Sequence, residues 1–451
     1  MKTIEHFDAI IFGAGTRGLI AAYVLNMMGY RAAVLERSPD LGGGDGSFQL
    51  SDGAWFDYGL HLLDEDRSEI ATKLFRHVID DKVHRVRLRR AIVLRNAIMP
   101  YAPERHQMPE ILREMLPEST VLDDLENQEP SRENLSRCYG EAFTNLIFDE
   151  VLPSYPTESR HLAFGVHESK LLANIYPWFF PRARRSLKLG DESRRFHERL
   201  RQGVDQFVIY PREGGFAEFC RAFARKLDPG RVEVIKNAGE IRIDVDQREH
   251  RFRGVAIEDR CLEAERYFWA SSWPELCNLL GIPCSDPHTD RIVLGSLRLD
   301  RPVLTDFHEI LVGDPSHLIN RVHFPGAVRQ TDNTLVQVEF AFPEAESSPK
   351  DSQYWRDVWR SSLLSLGIID GDHEIKIFDF KTRPLHFNSY GMEGVAMQDA
   401  DADLIDAHSN VFPIVPSMAN LNLNSHVPRD IDYVTSALTR SGAANLAEAA
   451  E

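Results

Sequence analysis

The stretch that decides the fold is DAIIFGAGTRGLIAAYVLNMMGYRAAVLERS, residues 8–38. Asp8 to Phe12 is an apolar run of strand length. Thr16 to Met28 repeats apolar residues at helical spacing, Gly29 stops that helix, and Arg31 to Leu35 predicts the next strand. Between strand and helix stands Gly13-Ala14-Gly15-Thr16-Arg17-Gly18, a GxGxxG. Its three glycines have separate tasks. The first makes a tight turn, the second lets a pyrophosphate approach the backbone, and the third lets helix and strand pack closely, so that the helix N-terminus faces the phosphates. Glu36 ends the second strand, where a carboxylate accepts hydrogen bonds from ribose hydroxyls and repels a 2′-phosphate. A lone GxGxxG arises by chance in loops. With strand, helix, second strand and terminal acid all in place, the segment predicts a dinucleotide site.

The rest of the chain sets limits on what that site serves. Its 451 residues allow two or three domains, and 43% hydrophobic with 27% charged residues is an ordinary globular mixture. A net charge of −17 repels phosphate backbones, which speaks against general nucleic-acid binding. No apolar run approaches the roughly 20 residues needed to span a bilayer, so no membrane insertion is expected. MKTIEHFDAIIFGAG enters a strand-like run at once and does not read as a signal peptide. The cysteines at 138, 220, 261, 277 and 284 form no CxxC pair, the usage of a reduced, cytoplasmic protein. The histidines show no HxxxH or HExxH spacing, so no metal site is expected.

From about Asp64 to Gln202 the pattern is helical, arginine-rich and broken by prolines, with VRLRRAIVLRNAIMPY (86–101) reading as a strand pair. The arginines between 85 and 95 read as exposed strand positions with no evident partner. From Arg231 the β pattern returns, with a small antiparallel excursion in the middle and YFWASS rejoining a buried sheet. RIVLGSLRLD, FHEILVGD, NTLVQVEFAF and EIKIFDFK suit a mixed sheet, and the chain ends strand, loop, helix. We expect an α/β protein. A discontinuous nucleotide domain (1–64, 203–290 and 401–451) is interrupted by an α+β substrate domain with a mixed sheet (65–202 and 291–400).

Further motifs point to a flavin. Leu41-Gly42-Gly43-Gly44 follows Glu36, and Trp55-Phe56-Asp57-Tyr58-Gly59-Leu60-His61 comes next. Tyr210-Pro211-Arg212-Glu213-Gly214-Gly215-Phe216 precedes an amphipathic helix, and DIDYVTSALTRSGAANLAE closes the chain. Here the sequence resembles the FAD-dependent amine oxidases, protoporphyrinogen oxidases, carotenoid desaturases and UDP-galactopyranose mutases. Those proteins have a GG element, a D-x-G-x-H element along the flavin, a YPxGGF turn and a closing helix. The resemblance implies a glutathione-reductase-type, Rossmann-like FAD domain. FAD binding would use Gly13, Gly15, Thr16, Arg17, Gly18, Glu36 and Arg37 at phosphates and ribose, with Gly43, Gly44 and His61 flanking the ring. Val234 would touch the adenine, and Asp430 and Ile431 would open the final helix, whose dipole favours negative charge on the ring. Two positions depart from the family pattern: Gly44-Asp45 follows GG where an arginine is common, and Pro416-Ser417-Met418 replaces a Gly-Asp or Gly-Arg pair.

The same resemblance implies an enzyme acting on a small molecule. One reading is an oxidoreductase moving a hydride from a C–N or C–C bond to the flavin. The second is a mutase-like isomerisation of a nucleotide sugar on reduced flavin, and the third a non-catalytic flavin binder. His61 would act as acid, base or hydrogen-bond partner near the ring, or else be a packed loop histidine. Arg321, in HLINRVHFP, would hold a carboxylate or phosphate, or else be an exposed strand-end arginine. Arg182, Arg184 and Arg185 after Tyr176-Pro177-Trp178-Phe179-Phe180 could clamp a diphosphate, though a solvated basic helix end explains them as well. Lys381 is the one lysine that could serve as a flavin-side lysine, or else is a surface residue, with His386 and Tyr390 beyond it as substrate-facing candidates.

Overall fold

The structure is a computed structural model that describes residues 4–65, 68–100, 105–116, 132–133, 136, 140–151, 206–282, 290–314, 316–331, 333–343, 350–385, 410–414 and 423–448. The expected basic–aromatic segment around 176–185, His386, Tyr390 and Pro416–Met418 lie outside these residues.

Strand Ile4–Phe12 sits mid-sheet, with Ala32–Leu35 parallel on one side and Arg260–Trp269 parallel on the other. Val232–Ile235 extends the sheet beyond Ala32–Leu35, and Val411–Pro413 pairs with the end of Arg260–Trp269. Both faces are covered, which explains the near-continuous apolar runs. Helices Thr16–Met27, Ala217–Lys226 and Leu423–Glu448 pack on one face around Phe219, Phe223 and Phe268. The antiparallel excursion Ile241–Asp246 and Arg251–Ile257 covers the other with helix Trp273–Leu280.

The second sheet runs in the order Ile375–Leu385, Asp290–Leu299, Leu335–Pro343, Arg321–His323, Glu309–Val312, Arg90–Leu94, Ala97–Pro100, and is mixed as expected. Its apolar face carries Ala91, Ile310, Val322 and Val338 against helix Ser352–Ser365. Asp351 caps that helix by accepting from Tyr354 N at 2.8 Å. Trp359 fills the space above Gly295, where a Cβ would fall 2.0 Å from its ring, and donates its indole N–H to Leu318 O at 2.9 Å.

The structure adds to two expectations and corrects a third, the start of the final helix. Helix Glu69–Val78 buries Ala71, Phe75 and Val78 in the nucleotide-domain core, and Val83–Arg87 pairs with Phe207–Pro211. The chain therefore still packs against that core and its pairing partner past residue 64, as far as Arg87. The final helix opens at Leu423 and carries Pro428 inside it, so Asp430 and Ile431 lie within the helix. The arginines between 85 and 95 are exposed as expected, apart from half-buried Arg90, and the fold supplies partners the sequence did not reveal: Arg85 meets Glu65, Arg89 meets Asp306, Arg90 meets Glu309 and Arg95 meets Glu150. Among the described residues no helix is long and apolar enough to cross a membrane.

Candidate functional site

The phosphate turn is built by sterics. Gly13 has φ +99°, and a Cβ on it would stand 2.9 Å from Ala270 O, just past the end of the neighbouring strand. A Cβ on Gly18 would stand 1.9 Å from Gly13 O, so only glycine lets helix Thr16–Met27 seat on its strand. Gly15 differs. Its backbone is ordinary (φ −69°), and the nearest atom to a Cβ there is Gly42 O at 3.7 Å. The space beside it is open, as close pyrophosphate approach requires. Gly42 N donates to Ala14 O at 2.9 Å, and Gly43 packs on Gly15, so the GG element backs the turn; Gly44 meets nothing.

Glu36 follows the second strand and accepts from Ala14 N and Ser38 N, each at 2.8 Å. Its carboxylate thus sits at the mouth of the turn. Arg37 points outward to Glu275 at 3.3 Å. Val234 lies beside Val34 on the adjoining strand. Arg17, expected at the phosphates, turns toward the closing helix. It bonds His426 Nδ1, donates to Ile414 O at 3.4 Å and lies 3.8 Å from Asp430. Burial pushes the Asp430 carboxyl up to about 6, opposed by Arg17 and Arg429, and its Oδ2 accepts no hydrogen bond.

Asp45, the acid in the arginine's place, accepts from Thr16 Oγ1 at 2.6 Å and lies 3.3 Å from His61 Nδ1. That contact assigns the proton to Nδ1 and leaves Nε2, buried and without a hydrogen-bond partner, as an acceptor. The loop bearing His61 is anchored through Asp57. Its Oδ1 accepts from Ser47 Oγ at 2.6 Å and Phe216 N at 2.8 Å, and its Oδ2 from Tyr210 Oη at 2.6 Å. The D-x-G-x-H and YPxGGF elements are therefore two halves of one joint, and burial pushes the Tyr210 phenol up.

The second sheet turns its polar face toward this loop. Arg90, Glu309, His323 and Gln337 form one cross-strand row, with Arg321 and Glu339 in the next. Arg321 Nε donates to Glu339 Oε2 at 2.7 Å, and its Nη1 lies 3.6 Å from Glu309, which also binds Arg90. Glu339 Oε1 accepts from Leu60 N at 2.9 Å and so ties the sheet to the His61 loop. Gln337 donates to Asp57 O at 2.7 Å. His323 is buried, its Nδ1 has no hydrogen-bond partner, and burial with the charges of Arg321 and Arg329 holds it well below its usual pKa. Glu339, His61 and Arg321 all lie within 4.0 Å of the point a Cβ on Gly59 would occupy. The two catalytic candidates, His61 and Arg321, are thus brought together, although Arg321 is a paired, half-buried group and not an exposed strand end.

Sequence reasoning missed Arg90, Glu309, His323, Gln337 and Glu339. The alternating polar residues Gln337 and Glu339 inside an apolar strand were the available signal. Lys381 pairs with Asp379 at 2.9 Å and lies over the Phe48 ring.

These residues fit an FAD. The open side of Gly15, the carboxylate of Glu36 and the unpartnered His61 Nε2 offer a place for diphosphate, ribose and ring in turn. Residues 11–78 match a family model described as an NAD(P)-binding Rossmann-like domain. No curated protein sequence matches the chain. Among solved structures, a reduced UDP-galactopyranose mutase aligns with TM-score 0.71 at 12% identity, over 96% of each chain. The CLA-producing fatty acid isomerase from P. acnes aligns with TM-score 0.62 at 14% identity, over 95% of this chain and 98% of that one. A wild-type putrescine oxidase bound to putrescine aligns with TM-score 0.60 at 15% identity, over 97% and 100%. The chain has the fold of these enzymes, the amine-oxidase-type fold with a Rossmann-like dinucleotide domain.

Proposed function

We propose that the chain binds FAD and is an oxidoreductase that removes a hydride from a C–N or C–C bond of a small molecule. The observation that carries this reading is the convergence at Gly59. A nucleotide turn with an open second glycine leads, through the Asp57 joint, to a histidine with a buried, unshared Nε2. The substrate-domain face then closes over that histidine with Arg321 and Glu339.

The flavin, when bound, supplies the ring that accepts the hydride. The chain's residues do the rest. Asp45 orients His61 so that Nε2 can take a proton from the substrate or hydrogen-bond the ring. Glu339 fixes the distance between loop and sheet, and the paired charges beneath keep that face rigid. In the mutase-like reading Arg321 would hold a diphosphate. Its guanidinium is already engaged by Glu339 and Glu309, which favours hydride transfer.

The deciding experiment is the visible spectrum of the purified protein, with the released cofactor identified by chromatography, followed by anaerobic mixing with amines and alkenoic acids. The expected result is a released cofactor that runs as FAD and a protein-bound flavin that bleaches with one of these substrates. Protein that holds no flavin and takes up none when FAD is added would overturn the reading. Turnover only with dithionite-reduced flavin, with no net oxidation, would replace it with the mutase-like reaction.

A further inference from the structure

Arg383 departs from the charge pairing seen elsewhere on the substrate-domain sheet. It lies on the edge strand Ile375–Leu385, and its guanidinium sits 4.0 Å from the centroid of the Tyr58 ring. The side chain is half-buried, and burial lowers its pKa, with Tyr58 alone opposing the shift. Arg17, Arg90, Arg298 and Arg321 are also partly buried, and each stands against a carboxylate: Asp430, Glu309, Asp52 and Glu339 respectively. Among the described residues, no carboxylate lies within ion-pair distance of Arg383. Lys381, two residues earlier on the same face of the strand, already has Asp379.

The aromatic floor is fixed in place. Tyr58 N donates to Gly46 O at 2.9 Å, and a Cβ on Gly46 would fall 2.9 Å from the Tyr58 ring, so the ring packs directly on that glycine. Phe48 supports it at 5.1 Å between centroids. Tyr58 directly precedes Gly59, around which His61, Arg321 and Glu339 converge. A partly desolvated cation with no counter-charge is costly, and an arriving anion recovers that cost. A planar guanidinium held over an aromatic ring keeps its remaining N–H donors for bidentate contact with carboxylate or phosphoryl oxygens.

We infer that Arg383 and Tyr58 form an anion subsite, and that the substrate carries a carboxylate or phosphoryl group that docks there while its reacting atoms face His61. This rests on the reading of the Gly59–His61 loop as the flavin side of the site.

The test uses the full chain, with and without FAD, and takes benzoate and inorganic pyrophosphate as probes. Wild type, Arg383→Lys and Arg383→Met are titrated by calorimetry and melted. In FAD-loaded wild type, one probe should bind and raise Tm by about 1–2 °C at tenfold excess over its Kd. Benzoate alone would identify a carboxylate, and pyrophosphate alone a phosphoryl group. Arg383→Met should bind that probe about tenfold or more weakly and lose the shift, while Arg383→Lys keeps part of it. Without anion, Arg383→Met should melt no lower than wild type, because it removes a charge that no carboxylate among the described residues compensates.

The inference is overturned if neither probe binds wild type, or if Arg383→Met binds as well as wild type. A variant melting several degrees lower without anion would overturn it too, making Arg383 a strut on Tyr58. A response confined to flavin-free protein would assign the subsite to the cofactor's own diphosphate and overturn it equally. Failure of the flavin reading shows separately, in the absorbance of the same samples.

Discussion

The phosphate turn and the polar face of the second sheet meet at one site but are held by different forces. The turn is shaped by what is absent, since Gly13 and Gly18 leave room for backbone to touch backbone. The sheet face is shaped by charge: Arg90, Glu309, Arg321 and Glu339 satisfy one another across strands. Steric fit is local and independent of pH and salt. Charge pairing in a buried setting is non-local, and each member depends on its partner being present. The turn should therefore fail only where a Cβ collides, while the sheet face should fail wherever one partner is removed.

The largest effect is expected at Gly18. Gly18→Ala places a Cβ 1.9 Å from Gly13 O, a backbone atom that cannot swing aside, and should cost more than about 4 kcal/mol. Little folded protein should accumulate. Gly15→Ala, three residues away, meets nothing closer than 3.7 Å and should melt within about 0.5 kcal/mol of wild type. Gly15→Val should also fold, yet purify without flavin, because the pyrophosphate loses its approach. Equal stability losses at Gly15 and Gly18, or full flavin in Gly15→Val, would show that the turn is not built for a phosphate.

On the sheet side, Glu339→Gln is the sharpest probe. Glutamine still accepts from Leu60 N but turns an amide N–H toward Arg321, leaving a half-buried guanidinium with one counter-charge in place of two. The expected loss is about 3 kcal/mol in urea unfolding. Flavin content should stay near wild type, since the nucleotide turn is untouched. A loss under about 1 kcal/mol would mean that the pair contributes as little as an exposed one.

A third test separates the two regions by pH. The Asp430 carboxyl is raised to about 6 by burial, so the folded state binds its proton more tightly than the unfolded chain does. That contribution is complete below about pH 4 and is lost as pH rises through 6, a difference of about 3 kcal/mol. His323 carries the opposite sign. Its folded pKa is depressed, so its contribution is present above about pH 6.5 and is lost on acidification. Asp430→Asn should flatten the fall in Tm between pH 5 and pH 7, while His323→Gln should soften the acid limb. An unchanged pH profile in Asp430→Asn would place the proton elsewhere.

This contrast also explains what could be read from the chain alone. The nucleotide turn, its helix and the two strands on either side were legible because each rests on neighbours in sequence. The mixed sheet was legible from its strand-like runs. Its paired charges were not, because Arg90 and Glu309 meet only after the sheet forms. Likewise Asp45 read as a departure from a family pattern, and only the fold shows that it orients His61. The start of the final helix was misplaced at Asp430 because Pro428 reads as a helix stop, whereas the helix runs through it from Leu423.

The smallest effect on stability is expected at His61, where the two regions touch. His61→Ala removes a partly exposed ring and its contact with Asp45, so the melt should change by less than about 1 kcal/mol. The nucleotide turn keeps its shape and the Glu339 link to Leu60 survives, since that bond uses the backbone. What should change is chemistry. If Nε2 moves a proton, substrate-driven flavin reduction should slow by about 10²–10⁴ with flavin content unaltered. Asp45→Asn should give a smaller slowing, because the ring remains but its orientation and protonated nitrogen are no longer fixed by a carboxylate. Wild-type reduction rates in both variants would make His61 a packing residue. The proton-handling role would then pass to another histidine of the convergent face, His323, whose Nδ1 is also without a hydrogen-bond partner.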